Sequence, residues 1–273
     1  MRMNRVVMDI RNMKIRGAKA IAIAGLKALR SMAQKNGFGK EFNNVAKKLV
    51  SIRPTAVALY NAVEKIKREK SLEAIDKMIY YFENIGDVIG TVNYELIRNG
   101  YTLLTHCHSG TVVDLLKTAK RKGRRFNVFV TETRPRWQGR ITAEVLVKAD
   151  IPVIYIVDSA AGFYIEDIDM MLFGCDAIRK EGVVNKIGTY MLAVLAKEHK
   201  IPVYFAGGLM KLDKRKKLII EERSPSEVMR KRETKKFDIR NPSFDITPWP
   251  LIKAILTEKG SLKPRQILRK LKR

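Results

Sequence analysis

YTLLTHCHSGTVVDLLKTAKRKG, residues 101–123, decides the architecture. A short apolar run ends in His106, Cys107 and His108. A Ser-Gly-Thr turn follows, and the rest mixes apolar and charged residues at helical spacing. Downstream, FNVFVTETR (126–134), IPVIYIVDSA (151–160), MMLFGCDAI (170–178) and IPVYFAGG (201–208) are further short apolar runs. Amphipathic stretches such as QGRITAEVLVKAD (138–150) and IGTYMLAVLAKEHK (187–200) lie between most of them. Strands that are apolar almost throughout are buried on both faces, so the alternation predicts a Rossmann-like, doubly wound and mainly parallel α/β sheet.

Upstream the period changes. Ile15, Ala18, Ile21, Ala22, Leu26 and Leu29 recur at helical spacing, as do Phe42, Val45 and Leu49, then Val63 and Ile66. Pro54 suits a break or a first helical turn, and Ser71 suits an N-cap. The turn signal RNGY at Arg98 to Tyr101 marks the expected boundary. The expectation is an N-terminal helical domain over 1–98, then an α/β domain over 99–273 carrying a basic segment near 211–240. After Gly208 a long charged connection leads to IRNPSFDITPWPLIKAIL (239–256), where the pattern does not choose between strand and helix.

Composition narrows the class. The 273 residues are 46 % hydrophobic, enough for a packed core. Two cysteines cannot staple a chain of this size and fit a reducing, cytoplasmic setting. No window approaches the roughly 18–20 apolar residues of a membrane span. AIAIAGL (20–26) is followed at once by Lys27 and lacks a cleavage site, which argues against a signal peptide. The net charge of +26 would draw in phosphorylated metabolites, RNA or an acidic protein. Lys211 to Arg240 holds twelve basic residues against six acidic ones, and KPRQILRKLKR (263–273) repeats the bias. Both read as solvated charged faces or as RNA contacts; neither has interleaved aromatics, a zinc-finger pattern or an RNA-recognition signature.

Ligands of open parallel sheets bind beyond the carboxyl ends of the strands, and those ends are polar here. They carry Cys107 with HSGT, Glu132 to Arg134, Asp158 with Ser159, Cys175 with Asp176, and Gly207 with Gly208 ahead of Lys211. Amides near Ser109, Gly110 and Thr111 would meet an anion at a helix N-terminus. VVNKIGTY (183–190) places Asn185, Lys186 and Gly188 at the expected start of another helix, with the same geometry. Neither turn matches a dinucleotide fingerprint or a P-loop, so no cofactor is expected; a doubly phosphorylated or otherwise anionic ligand is.

The His106–Cys107–His108 cluster has three readings. A zinc site needs three or four converging ligands, and the remaining histidine, His199, falls in a surface-like helical stretch, so no metal is expected. Cys107 as a small buried residue is the second. The third is a reactive thiol with its pKa lowered by the following helix N-terminus, the two histidines facing one way and Cys107 the other. Such a thiolate would form a proton-transfer pair with a carboxyl on another strand end, and Asp176, among apolar neighbours, is the candidate.

MKIRGAKAIA (13–22), THCHSG (105–110), VTETRPRWQGR (130–140), IPVIYIVDSAAGF (151–163), FGCDAI (173–178), VVNKIGTY (183–190) and NPSFDITP (241–248) together resemble one superfamily. It contains the regulatory α, β and δ subunits of translation initiation factor 2B, their archaeal relatives, and isomerases of methylthioribose-1-phosphate and ribose-1,5-bisphosphate. The resemblance implies a helical domain followed by a Rossmann-like domain, and a homodimer. It implies that Cys107 is the base and Asp176 the acid of an aldose–ketose isomerase. Phosphate and sugar contacts would come from Arg16, Gly17, Ala18, Arg53, Ser109, Asn185, Lys186 and Lys211. The chain departs from the pattern at Gly207 and Gly208, where an acid usually precedes the late lysine. It departs again at Lys19, where a small residue is common, and at Tyr60, which stands for a proline. The thiol–carboxyl pair favours the isomerase. The alternative is a non-catalytic regulatory protein that binds a nucleotide, the α subunit of initiation factor 2, or RNA.

Overall fold

The computed structural model describes residues 3–272 apart from positions 13, 16, 53, 231 and 232, so Arg16 and Arg53 lie outside the described residues. Five helices come first: α1 (Met3–Arg11), α2 (Ala18–Asn36), α3 (Lys40–Ile52), α4 (Val57–Glu69) and α5 (Leu72–Asn93). Their apolar stripes meet in one core built around Ile21, Leu26, Leu29, Phe42, Leu49, Leu59 and Ile66. Pro54 sits in the break between α3 and α4, and Ser71 caps α5 by accepting from the Ala74 amide at 3.1 Å. The far end of α5 leaves this core: Ile85 and Ile89 join the core beneath the sheet.

The α/β part follows as β1 (Thr102–His106), α6 (Gly110–Arg121), β2 (Asn127–Thr131), α7 (Gln138–Val147), β3 (Val153–Ile156), β4 (Met170–Gly174), β5 (Ala177–Ile178), β6 (Gly182–Lys186), α8 (Thr189–Glu198) and β7 (Val203–Ala206). After a long connection come β8 (Phe244–Pro248), β9 (Ala254–Thr257), β10 (Gly260–Leu262) and α9 (Pro264–Lys272). The large sheet runs β10-β9-β7-β4-β1-β2-β3, parallel except at β10. The chain steps outward from β1 to β2 to β3, then returns to place β4 on the other side of β1. That makes β1/β4 the topological switch point, where such sheets open a crevice.

A second, antiparallel sheet, β5-β6-β8, answers the question the sequence left open at NPSFDITP. It also corrects one expectation. Asn185 and Lys186 close β6; they do not begin a helix, and α8 starts only at Thr189. The basic segment is no uniformly solvated face either. Asp213 is buried between Arg179 and Arg215, Glu227 accepts from Arg136 and Arg223, and Glu222 pairs with Arg240. Three of the six acids that looked outnumbered in sequence thus pair with arginines of or beside this strap.

Candidate active site

A cavity of about 300 Å³ opens at the switch point, between the strand ends and the helical region. Cys107, Ser109, Gly110, Thr111, Asp176, Asn185, Lys186 and Lys211 line it from the sheet side, and Gly17 and Ala18 from the helical side. Every expected site residue within the described residues is therefore at one cavity. Arg16 and Arg53 cannot be placed, although Gly17 and Thr55 beside them reach the wall.

Cys107 sits just past β1 in a left-handed conformation, φ 68°. Its amide donates to Thr133 Oγ1 at 2.8 Å, and Thr133 is itself left-handed at φ 63°. The Asp158 carboxylate secures that turn, accepting from the Thr133 and Arg134 amides at 2.8 and 2.7 Å. Left-handed geometry costs a non-glycine residue about 1–3 kcal/mol and persists only where surroundings over-determine it. Here three segments do so. The kink at Cys107 also breaks the expected alternation. The buried His106 donates from Nε2 to the Ile187 carbonyl (2.8 Å) and accepts at Nδ1 from Thr131 Oγ1 (2.6 Å). His108 Nδ1 donates to Thr142 Oγ1 (2.9 Å), whose hydroxyl donates on to the Cys107 carbonyl (3.0 Å). The histidines thus anchor the turn on two sides. Burial holds both below their usual pKa. No group of three metal-ligating side chains converges among the described residues.

The thiol contradicts its expectation. Burial pushes Cys107 up to about 11; Lys186 and the His108 amide pull it down, and the charges of Asp176 and Asp158 push it further up. Desolvation is the largest influence on the thiol. Asp176 is half-buried two residues beyond β4, the strand next to β1. Its charge opposes thiolate formation at Cys107.

The expected anion site at the start of α8 is already filled. Asp245, from β8, accepts from the Gly188 and Tyr190 amides at 2.7 and 3.1 Å. Burial raises its pKa to about 6. Only the side chains of Asn185 and Lys186 remain for a ligand there. Asn185 Nδ2 donates to Thr189 Oγ1 (3.0 Å), and the Lys186 ammonium lies 5.1 Å from the Phe244 ring centroid.

Gly207 and Gly208 have a steric reason. A Cβ at Gly207 would lie 2.2 Å from Cys175 Sγ, and one at Gly208 would lie 2.4 Å from the Tyr81 hydroxyl. A carboxylate arrives instead from the β9–β10 turn. Glu258 accepts from the Leu209 amide (3.1 and 3.2 Å) and from the Tyr81 hydroxyl (2.8 Å). Asn61 of α4 donates to the Met210 and Leu212 carbonyls, both at 2.8 Å. Lys211 is thereby held with its ammonium 2.6 Å from the Cys175 carbonyl.

Two polar lining residues, Thr55 and Gln138, escaped the sequence reading, while Lys19 and Cys175 were noted there without a role in the site. Gln138 is buried, and its Oε1 has no hydrogen-bond partner among the described residues. Its signal was faint: a polar residue at the first position of a helix following a strand end.

A Rossmann-like sheet under a helical region, with thiol, carboxyl and lysines gathered at its switch point, defines the class. The chain belongs to the Initiation factor 2 subunit family, whose profile matches residues 14–264. It is 39 % identical to ribose 1,5-bisphosphate isomerase of Pyrococcus furiosus, over 93 % of this chain and 88 % of that one. It is 38 % identical to methylthioribose-1-phosphate isomerase of Acetivibrio thermocellus, over 93 % and 86 %. The crystal structure of a translation initiation factor eIF-2B from Pyrococcus horikoshii superposes with a TM-score of 0.87 at 28 % identity, covering 97 % of this chain and 98 % of that one.

Proposed function

We propose that the protein is an aldose–ketose isomerase of a phosphorylated ribose, acting through Cys107 and Asp176. The carrying observation is that these two groups, from adjacent strand ends, line one cavity with Lys19, Lys186 and Lys211. The names of the relatives support the same reading.

Asp176 donates its proton to the ring oxygen, and the bond from that oxygen to C1 breaks. The Cys107 thiolate, the minor form at neutral pH, removes the C2 proton, and the electron pair forms the C1–C2 double bond of an enol. The thiol returns a proton to C1 while the Asp176 carboxylate takes the proton of the C2 hydroxyl, leaving a ketone. Both groups end as they began, and the sugar is isomerised with no net oxidation. Amides at Ser109 to Thr111 bind one phosphate, with the Ser109 hydroxyl already accepting from the Val112 amide (3.4 Å) to cap α6. Asn185, Lys186 and Lys211 bind anionic oxygens, and Gln138 accepts from a sugar hydroxyl. Arg16 and Arg53 are proposed to add cations to the same site.

A second copy of the chain is the proposed partner. β3 is an open edge of the large sheet and exposes Ile154 and Tyr155; Val157 and the 83 % exposed Phe163 lie just beyond. Unprotected apolar edges invite pairing, and two-fold pairs are the commonest outcome. The non-catalytic reading rests on the likeness to an initiation-factor structure and on the +26 charge. Phosphorus NMR with ribose-1,5-bisphosphate, in the presence and absence of adenosine monophosphate, separates the two. Conversion to ribulose-1,5-bisphosphate supports the isomerase. No turnover of this sugar or of methylthioribose-1-phosphate sinks it.

A further inference from the structure

Lys19 lies in the first turn of α2, on the helical side of the cavity, yet its side chain reaches the sheet side. Its Cδ passes 3.9 Å from where a Cβ on Gly110 would stand, at the start of α6. Its ammonium stops one turn further along, 3.0 Å from Asp114 Oδ2. Asp114 is packed tightly: a Cβ on Gly86 of α5 would come within 1.9 Å of that oxygen. The lysine thus bridges from the helical side of the cavity, past the start of α6, to a carboxylate seated against α5. The two side chains are 30 % and 25 % exposed, a part-buried pair that solvent screens only in part. A phosphate at the start of α6, carrying more charge than one carboxylate, would compete with Asp114 for the ammonium.

The cavity's cations fall into two groups. Lys19 stands with the free amides of α6, which follows β1. Lys211 follows β7, and Lys186 closes β6. β4 separates β1 from β7, so the first group and Lys211 stand two strand spacings apart, roughly 10 Å. Asp176 lies between them, just past β4. Each phosphate monoester carries about −1.5 to −2 charges at neutral pH, more than one cation offsets.

We infer that Lys19 is a specificity-determining residue: it exchanges Asp114 for a phosphate seated at the start of α6, so the cavity selects a ribose phosphorylated at both ends. An apolar methylthio group at that position leaves Lys19 on Asp114 and gains nothing from it. This inference rests on the isomerase reading for the identity of the sugar, but its test does not require turnover.

Calorimetric titration of the full chain in a Cys107→Ser background compares ribose-1,5-bisphosphate with methylthioribose-1-phosphate. Adding Lys19→Met should weaken the bisphosphate at least about tenfold more than the methylthio sugar, the scale of one lost charged hydrogen bond. Equal weakening of both ligands, or none of either, overturns the inference. Asp114→Asn guards against a folding defect in the lysine variant, because it removes the competing carboxylate and keeps the cation. It should tighten the bisphosphate selectively. Weakening of the bisphosphate by Asp114→Asn would make the pair a structural latch and overturn the inference too. Absent wild-type turnover would sink the isomerase alone; loss of the differential binding would sink the Lys19 assignment alone.

Discussion

The two walls of the cavity are built on different principles. The sheet wall is positioned by backbone. Cys107 and Thr133 adopt left-handed geometry that the Asp158 carboxylate and the histidine contacts hold in place. The helical wall is attached by side chains: Lys19 to Asp114, Asn61 to the Met210 and Leu212 carbonyls, Tyr81 to Glu258, Thr55 to Glu221, and Arg215 to the Pro54 carbonyl. A thiol that must deliver a proton to one carbon needs fixed geometry, whereas a wall that admits and encloses a ligand needs bonds that can be remade. The division of labour follows: chemistry on the sheet side, selection and closure on the helical side.

The largest expected effect comes from cutting the strap that joins the walls. Asp213 is buried against Arg179, and its carboxylate also bonds Arg215, which reaches the Pro54 carbonyl at 2.9 Å. Asp213→Ala leaves a buried guanidinium without its main partner and should cost about 3 kcal/mol in denaturant unfolding. Glu181 at 3.2 Å from Arg179 keeps the loss toward the low end. An unchanged midpoint would mean the strap does not bind the walls together.

On the sheet wall alone, Thr133→Val removes the acceptor of the Cys107 amide, and Asp158→Asn weakens the turn behind it. Either should lower kcat roughly tenfold to a hundredfold with little change in KM, because misplacing a reacting group costs the chemical step. A change confined to KM would contradict backbone positioning. On the helical wall, Asn61→Ala should do the reverse, raising KM severalfold by loosening the turn that carries Lys211.

A gentler probe reads the thiol itself. With its pKa near 11, Cys107 is protonated at neutral pH, and its thiolate fraction grows as pH rises. In a Cys175→Ser background, alkylation by iodoacetamide should therefore accelerate about tenfold per pH unit between roughly pH 7 and 9. Lys186→Met, which removes the largest influence lowering that pKa, should slow it further. A plateau below pH 8 would show that the helix N-terminus outweighs burial after all.

How much of this was legible depended on which forces act locally. Near-continuous apolar runs and period-3.6 patterns exposed the parallel strands and their helices, and the rim rule then pointed to Cys107, Asp176 and Lys211 without any structure. The second sheet was not legible, because β5 has two residues and β8 lies among prolines, where the pattern did not choose between strand and helix. Asp245 could not be foreseen in the α8 amides, since the bond spans more than fifty residues of sequence. The thiol was misjudged for a related reason. The helix that lowers its pKa is adjacent in sequence, whereas the burial that raises it comes from segments far along the chain. Glu258 shows the same limit: the carboxylate beside the Lys211 turn comes from another strand pair, leaving Gly207 and Gly208 to look like a gap.

The most direct test of the central claim follows the migrating proton. Wild-type protein and ribose-1,5-bisphosphate in deuterated buffer should give ribulose-1,5-bisphosphate with solvent deuterium on a single face of C1. Cys107→Ser should abolish that incorporation while still binding the sugar. Deuterium entering at the wild-type rate without the Cys107 thiol would contradict the account.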